Sequence, residues 1–331
     1  MKFEVILIPG KLSVILNKDI NGIAYFPVGE FFLKKIFRKS GDIFLNVSIL
    51  PSDSDKFKIK NAISSCKEIK VGENKILFEK KLFFISLKLL IENLDLKEIK
   101  IYVSSGYFRF LKYRIENLLP LGQILTSIAQ IKFLELGCVM IYGASVFNQK
   151  RNDSFLILAP PGVGKTYTVS RFIKKKNFKY LGEDVTFYDS KNNRIYCVPF
   201  SNSWNRHAKL NHIFIKKRIN IFERNNLRKK SNLRRIYILN QSSKNEIQKL
   251  EKNEIVVEKI LSLQRMFFSG YLNNYILRYA DYYLGNIKIE DKNKRELNII
   301  KKMVEKSEIF DVYADDHSKF YNMISKNEKN F

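Results

Sequence analysis

The sequence predicts an α/β protein with roughly two domains, and three observations carry this prediction. The chain has 331 residues, more than one hydrophobic core usually organises. Short apolar runs typical of strands alternate along it with segments whose apolar residues recur at helical spacing. Its 45% hydrophobic residues, with 26 phenylalanines among them, are enough for a packed core and exclude a disordered chain.

Residues 1–118 are predicted to form a smaller mixed α/β domain at the amino terminus. Runs such as EVILI, SVILN and IFLNVSIL alternate with turn residues, which is typical of strands. KLFFISLKLLIENL and the helix-like YFRFLKYRIENLL follow them. No catalytic motif is visible in this region, so we expect any chemistry to lie downstream.

A second domain, residues 119–292, is predicted to begin near Pro120 and Gly122. QILTSIAQIKFLEL has the apolar spacing of a packing helix, and CVMIYGASVF, the turn NQKRND and SFLILA then predict a hairpin. Beyond SFLILA we expect the helix TYTVSRFIKKK, the strand FKYL, and a second hairpin formed by VTFY and IYCVPF.

The rest of the second domain is predicted to contain the strand RRIYILN and helices within NEIVVEKILSLQRMFFSGYLNNYILRYADYYL. Residues 293–331 are expected to form a carboxyl-terminal helical tail. The last eight residues, ISKNEKNF, are expected to fray.

The charge balance is strongly basic, with 59 Lys and Arg against 33 Asp and Glu and a formal net charge of +26. The densest basic stretch, Asn205 to Arg235, has eleven Lys and Arg against one acid. It could contact a triphosphate or an acidic partner, track a nucleic-acid backbone, or be a solvated loop. Lysine, asparagine and isoleucine are abundant throughout, which indicates a biased genome composition, so a nucleic-acid partner is not expected.

Membrane and metal-binding signals are missing from the sequence. Every long apolar run is interrupted by charge, which predicts no membrane span and a cytoplasmic protein. The five-residue spacing of His207 and His212 is wrong for one helix face, and the three cysteines lack zinc-site spacing.

The stretch SFLILAPPGVGKTYTVSRFI, Ser154 to Ile173, matches the pattern A/G-x-x-x-x-G-K-S/T. A tight turn between a strand and a helix aims successive backbone N–H groups and the positive helix end at one anion. Glycine lets the backbone approach phosphate oxygens closely. The nucleotide-binding residues are therefore predicted to be Pro161, Gly162, Val163, Gly164, Lys165, Thr166 and Tyr167.

The second half of a phosphoryl-transfer site requires carboxylates near the terminal phosphate. Lys165 is expected to reach the β and γ phosphates and the Thr166 hydroxyl to bind Mg²⁺. Glu183 and Asp184 follow the strand FKYL, and if that strand lies beside SFLILA in a parallel sheet, both strand ends meet at one edge. One carboxylate then positions Mg²⁺ or its water and the other accepts a proton from an attacking hydroxyl. The alternative is that GED is a polar turn.

The order GCVMIYGASVF, FLILAPPGVGKT, KYLGEDVTFYD and VPF resembles the catalytic core of HPr kinase/phosphorylase and its relatives. The resemblance covers roughly Leu136 to Phe200. It implies a P-loop core with a mixed sheet of the HPr-kinase/PEP-carboxykinase-like type, with ATP and Mg²⁺ as cofactors. Carried over to this chain, it assigns Asp184 as catalytic base and places Glu183 and Thr166 at the metal.

The Glu-x-Arg-Gly signature of true HPr kinase is missing downstream, so the resemblance is to a divergent, HPr-kinase-like member. It implies an ATP-dependent kinase, a transferase acting on a hydroxyl of a protein, peptide or small-molecule acceptor, and a homo-oligomer. Two other classes remain open: a P-loop ATPase associated with nucleic acid, and a nucleotide-sensing binding module without chemistry.

Overall fold

The computed structural model describes residues 3–8, 11–16, 33–35, 42–82, 85–107, 121–183, 185–197, 228–272 and 274–329. These residues form a mixed α/β structure with two mixed sheets, as the sequence predicts. They divide into two compact units. One comprises the described residues of Met1–Lys132 and Gly270–Lys292, and the other comprises those of Phe133–Phe200, His207–Ser269 and Asn293–Phe331.

The first unit is organised around one sheet. Its order among the described residues is β3-β1-β2-β4-β9-β8-β7-β6-β5, with β2, β4 and β9 parallel and the other pairs antiparallel. The strands are β1 (Phe3–Ile8), β2 (Leu12–Leu16), β3 (Leu33–Lys35), β4 (Ile43–Leu50), β5 (Ser64–Cys66), β6 (Ile69–Gly72), β7 (Lys75–Leu82), β8 (Ile85–Glu92) and β9 (Glu98–Ser104). The predicted strands EVILI, SVILN and IFLNVSIL are confirmed as β1, β2 and β4.

KLFFISLKLLIENL contributes to the antiparallel pair β7 and β8, in which Phe78 and Leu89 face each other in register. The segment YFRFLKYRIENLL is described only at Tyr107, so the helix predicted there lies outside the described residues.

The described residues contain six α-helices, and some of these lie wholly or partly in the first unit. They are α1 (Leu121–Glu135), α2 (Lys165–Ile173), α3 (Glu254–Leu272), α4 (Tyr275–Leu284), α5 (Ile289–Lys306) and α6 (His317–Lys329). In the first unit, α4 packs on β6 and β7. The Tyr279 hydroxyl is 2.7 Å from Ser64 Oγ there, and the Tyr275 ring meets Phe78 edge-on at 6.3 Å. No helix in the described part of the chain has the length and apolar character needed to cross a membrane.

The second unit contains the other sheet, whose strands are β10 (Cys138–Tyr142), β11 (Ala144–Asn148), β12 (Asp153–Leu158), β13 (Phe178–Gly182), β14 (Val185–Asp189), β15 (Arg194–Tyr196), β16 (Lys230–Gln241), β17 (Glu246–Leu250) and β18 (Glu308–Ala314). The hairpin predicted for VTFY and IYCVPF is confirmed by the antiparallel pair β14 and β15. The hairpin predicted for CVMIYGASVF and SFLILA is confirmed only for its inner half, β11 with β12, because the run breaks at Gly143 and CVMIY forms a separate strand, β10, that pairs with β14. RRIYILN lies inside β16, and QILTSIAQIKFLEL lies almost entirely in α1.

The part of this sheet that contains β12 has the strand order β13-β11-β12-β16-β18-β17 among the described residues. β12, β16 and β18 are parallel, while β11 runs antiparallel between β12 and β13. β13 therefore points the same way as β12, but it lies one strand away from β12 rather than beside it. Chain segments that follow β12, β13, β16 and β18 consequently leave the sheet at one edge.

Residues 293–331 do not form a purely helical segment, because β18 lies between α5 and α6. β18 pairs with β16 over seven residues, from Arg235↔Glu308 to Gln241↔Ala314, so the carboxyl-terminal segment completes the sheet. Its residues Ile309, Phe310, Asp311 and Val312 are buried in succession. A strand covered on both faces lacks the alternation that marks an exposed one, which is why it could not be distinguished from helix by period.

Aromatic side chains attach α2 and α6 to this sheet. Phe155 of β12 contacts Phe172 of α2 at 5.1 Å and Tyr237 of β16 at 5.6 Å, edge-on in both cases. Phe172 also meets Tyr321 of α6 at 4.8 Å. Such pairs contribute about 0.5–1.5 kcal/mol each beyond their buried area. The two helices are thus held beside each other over the central strand.

A buried ionic cluster, here called the Glu328 cluster, lies where α6 ends. The Glu328 carboxylate accepts hydrogen bonds from the Tyr237 hydroxyl at 2.7 Å, from Asn148 Nδ2 at 3.3 Å and from Arg235 Nη1 at 3.4 Å. An Arg151 guanidinium nitrogen donates to the Glu328 carbonyl. Burial and the neighbouring Glu328 carboxylate raise the pKa of Tyr237, so this hydroxyl stays a donor at neutral pH. The predicted fraying of ISKNEKNF is wrong up to Lys329, because Glu328 ties the helix to the sheet.

Candidate functional site

Residues 159–166, here called the glycine loop, turn from β12 into α2. Gly162 has φ +85° and Gly164, the residue before α2, has φ +119°, both in the region that favours glycine. A Cβ on Gly162 would meet no described atom within 4 Å, so the space beside it is open. This is the strand-turn-helix context that a phosphate-binding loop needs.

Lys165 lies beneath the glycine loop rather than in solvent. Its side chain is buried, with 4% of the residue exposed. The ammonium donates to the carbonyls of Ala159 at 2.8 Å and Pro160 at 3.2 Å, and it lies 4.2 Å from the centroid of the Tyr142 ring. The positive charge is therefore held at the loop from the first turn of α2, in reach of any anion that the loop accepts.

The ring of Tyr142, the last residue of β10, contacts the Lys165 ammonium. Its backbone N–H donates to Gln264 Oε1 of α3 at 2.7 Å, and it faces Val185 in the pairing of β10 with β14. At the next residue, Gly143, an added Cβ would lie 2.7 Å from Leu158 Cδ2 and 3.1 Å from the Ile157 carbonyl oxygen, so a larger residue would require these neighbours to shift. The sequence drew no attention to Tyr142, since an aromatic residue in an apolar strand looks like an ordinary core residue.

The contact between the Tyr142 ring and the Lys165 ammonium predicts that substitutions of these two residues have non-additive effects on the free energy of unfolding. Tyr142→Leu removes the π face that a buried ammonium contacts, whereas Tyr142→Phe keeps it. A cation–π contact at a desolvated site is worth about 2 kcal/mol. In a urea-unfolding cycle of Tyr142→Leu with Lys165→Met, we therefore expect an interaction free energy of about 1–2 kcal/mol.

The same cycle with Tyr142→Phe serves as the control, and it is expected to give under about 0.5 kcal/mol. Additive losses in the Tyr142→Leu cycle would show that the ring does not stabilise the ammonium.

The segment that follows β13 reaches the same edge of the sheet as the glycine loop. Gly182 pairs with Ser145, which in turn pairs with Leu156 of β12, so Glu183 lies near the level at which β12 ends. Glu183 is buried, with 7% exposed. Asp184, the predicted catalytic base, lies outside the described residues, between Glu183 and Val185. Glu183 thus lies in a bend that follows the buried strand β13.

This bend between β13 and β14 is fixed by hydroxyl groups and a glycine. Thr186 Oγ1 donates to the Gly143 carbonyl at 2.9 Å and lies 2.9 Å from Ser145 Oγ. A Cβ on Gly182 would lie 2.5 Å from the Val185 carbonyl oxygen, so only glycine fits there. The bend at Glu183 is therefore held at the end of β13 by the packing of Gly182 and at the start of β14 by the Thr186 hydroxyl.

The predicted metal ligands are compatible with Mg²⁺ in a nucleotide site. In the described part of the chain no three His, Cys, Asp or Glu side chains are grouped so as to hold a metal by themselves. Mg²⁺ in such sites takes one or two protein ligands and completes its shell with phosphate oxygens and water. Thr166, in the first turn of α2, and Glu183 supply the hard oxygen donors that this mode requires.

The end of β18 adds residues that the sequence reasoning missed. Asp315 and Asp316 follow the buried strand directly, and α6 begins at the next residue, His317. A hydrogen bond from Lys319, at 2.7 Å, holds the pKa of Asp315 below its usual range, and hydrogen bonds from Ser318 do the same for the pKa of Asp316. The available signal in the sequence was an apolar, strand-like run followed by Asp-Asp-His. Sequence reasoning missed it because residues 293–331 were expected to be helical.

His317 lies against the glycine loop. An added Cβ on Gly164 would be 2.9 Å from His317 Cβ, so this side of the loop is closed by the histidine while the side of Gly162 is open. The imidazole meets the Tyr167 ring edge-on at 4.8 Å. No sequence motif indicated a role for His317, but α6 brings it to the first turn of α2.

The basic stretch Asn205 to Arg235 lies mostly outside the described residues. At its described end, Arg228 is exposed and Arg235 is buried. The Arg228 guanidinium lies 4.6 Å from the Phe147 ring, and Arg235 is buried in the Glu328 cluster, where it also meets Glu308 at 3.3 Å. These residues have structural contacts in the second unit.

Comparison with known proteins yields no relative from which a role could be transferred. No protein-family model matches the chain, and no curated protein matches it at a significant level.

Proposed function

We propose that the protein is an ATP-dependent phosphotransferase that moves the γ-phosphoryl group to a hydroxyl of a protein, peptide or small-molecule acceptor. One observation carries the proposal. The glycine loop, with the Lys165 ammonium held beneath it, leaves the sheet at the same edge as the bend at Glu183, the residue that Asp184 follows in the sequence. Open α/β sheets bind ligands at such edges, where several strand ends supply groups to one site.

Each residue then has a role that its chemistry allows. The backbone N–H groups of residues 162–167 and the Lys165 ammonium hold phosphate oxygens, and Thr166 and Glu183 hold Mg²⁺. Bound Mg-ATP supplies the phosphoryl group. Asp184 accepts the proton of the acceptor hydroxyl as its oxygen bonds to the γ phosphorus and the bond to the ADP oxygen breaks. Positioning and electrostatic stabilisation account for most of the rate.

The family proposal follows from the residues rather than from the comparisons. The hairpin into the glycine loop and the paired carboxylates after β13 occur in the order that resembles HPr-kinase-like and PEP-carboxykinase-like P-loop proteins. β11 lies antiparallel beside β12, which agrees with the hairpin of that core. We therefore propose a divergent kinase of this kind, acting on an acceptor other than HPr.

Asp184→Asn separates binding from transfer. The amide keeps the shape of the side chain but cannot accept the hydroxyl proton, so Mg-ATP affinity should change less than about threefold while transfer falls by about 100-fold or more. The measurement is transfer from γ-labelled ATP into a fractionated extract of candidate acceptors, with Mg-ATP affinity determined by calorimetry. Glu98→Gln, a carboxylate in β9 of the first unit, is the control and should leave both quantities unchanged.

Three outcomes would contradict the proposal. Transfer at the wild-type rate in Asp184→Asn would show that Asp184 is not the catalytic base. Phosphate release with no labelled acceptor would favour an ATPase, and binding without either reaction would favour a nucleotide-sensing module.

A further inference from the structure

The proposed function leaves open what holds the nucleoside part of the nucleotide. A phosphate loop alone binds inorganic polyphosphate as readily as a nucleotide, because its contacts go to phosphate oxygens. Selection of a nucleotide needs a surface for the base within reach of the loop. Stacking on aromatic side chains is the common solution when no base edge is read.

Tyr167, Arg171 and His317 form a cluster directly beside the glycine loop. Tyr167 follows Thr166 in the chain, and its ring meets the His317 ring edge-on, with 4.8 Å between centroids and an interplanar angle of 87°. The Arg171 guanidinium carbon lies 5.2 Å from the centroid of the same tyrosine ring, and Arg171 Nε donates to the tyrosine hydroxyl at 3.0 Å. The three side chains come from α2 and from the start of α6.

The cluster is accessible as well as ordered. The His317 side chain is 56% exposed, and Arg171 is exposed on α2. His317 Nδ1 is 3.7 Å from Asp316 Oδ2, beyond hydrogen-bonding distance, so the imidazole is not committed to that carboxylate. An exposed ring held by a neighbouring ring has little conformational entropy left to lose on binding.

Resting on the proposed function, we propose that Tyr167, Arg171 and His317 form the nucleobase subsite of this nucleotide site. The base stacks on the ring surface that His317 and Tyr167 present, and the guanidinium adds a cation–π contact and a positive charge near the ribose and α phosphate. The subsite makes the donor a nucleoside triphosphate rather than an inorganic polyphosphate. Stacking is tolerant of base identity, so the subsite selects for a base more than among bases.

The test compares Mg-ATP with Mg-tripolyphosphate, which offers the phosphates without a nucleoside. Affinities of both are measured by calorimetry for the wild type, Tyr167→Ala and His317→Ala. Alanine at 317 keeps the Cβ that packs on Gly164, so it removes only the imidazole. Tyr167→Phe keeps the ring and serves as the matched control, and Tyr283→Ala removes a partly exposed tyrosine from α4 in the other unit.

We expect the wild type to bind Mg-ATP at least about tenfold more tightly than Mg-tripolyphosphate, because one stacked base contributes on that order. Tyr167→Ala and His317→Ala should each lower this ratio by about fivefold or more and change tripolyphosphate affinity by less than about twofold. Tyr167→Phe and Tyr283→Ala should keep the wild-type ratio.

The unfavourable outcomes are distinguishable. Equal weakening of both ligands by the alanine variants would mean that these residues only support the glycine loop. A wild type that binds both ligands equally would overturn the nucleobase subsite and leave the phosphate site standing. A wild type that binds neither ligand would overturn the proposed function and the subsite together.

Discussion

Replacing Lys165 with alanine is expected to abolish stabilisation of the protein by Mg-ATP. The Lys165 ammonium is the charge held at the glycine loop, bonded to the carbonyls of Ala159 and Pro160 until phosphate oxygens compete for it. Mg-ATP at about 100 times its dissociation constant should add roughly 2.7 kcal/mol to the free energy of unfolding of the wild type. In Lys165→Ala the addition should fall below about 0.5 kcal/mol under the same conditions.

The measurement is the melting temperature with and without Mg-ATP, each variant compared with its own ligand-free state. That comparison matters because Lys165 is buried, and its removal changes the stability of the free protein as well. Lys165→Met keeps the aliphatic stem and should also lose the shift. Lys174→Ala removes a lysine from the other end of α2 and should keep it. A full shift in Lys165→Ala would mean that the glycine loop is not where Mg-ATP binds.

Replacing Glu328 with alanine is expected to cause the largest loss of stability, about 3–5 kcal/mol. Glu328 is 4% exposed, and its removal takes from the buried Arg235 guanidinium its most deeply buried carboxylate partner, at 3.4 Å, leaving the partly exposed Glu308 at 3.3 Å and Asp153 at 3.9 Å. Removing one member of a buried ion pair costs far more than the pair contributes, because the remaining charge stays desolvated. The Tyr237 hydroxyl also loses its acceptor.

Urea unfolding followed by circular dichroism measures this loss. Glu254→Ala is the control, since Glu254 pairs with Lys301 at 2.8 Å but is 71% exposed, and surface pairs contribute at most about 1 kcal/mol. Glu328→Gln keeps an acceptor for Tyr237 and should lie between the two. A loss in Glu328→Ala no larger than that of the control would indicate that water solvates the Glu328 cluster.

The Glu328 variant also tests how the site is built. α6 begins with His317 at the glycine loop and ends at the Glu328 cluster, so one helix joins the two. Loosening its carboxyl end should displace its amino end before the sheet unfolds. Mg-ATP affinity is therefore expected to fall in Glu328→Ala at urea concentrations where the protein remains folded.

Local sequence determined a large part of the second unit. A turn, its flanking apolar runs and their period are neighbours in the chain, so the hairpins β11–β12 and β14–β15 and the passage from β12 into α2 could be predicted from them. The positions of Lys165 and Thr166 at the start of a helix follow from the same local pattern. These elements need no information about distant parts of the chain.

Only the tertiary structure decided which distant segments of the chain pack against these locally predicted elements. β11 separates β13 from β12, and β18 joins the sheet from near the carboxyl terminus. Strand order depends on how whole sheet faces are buried, so a short stretch of sequence does not reveal it. Tyr142 and His317 reach Lys165 and Gly164 for the same reason. The sequence by itself determined the glycine loop between β12 and α2; long-range packing decided which residues surround it.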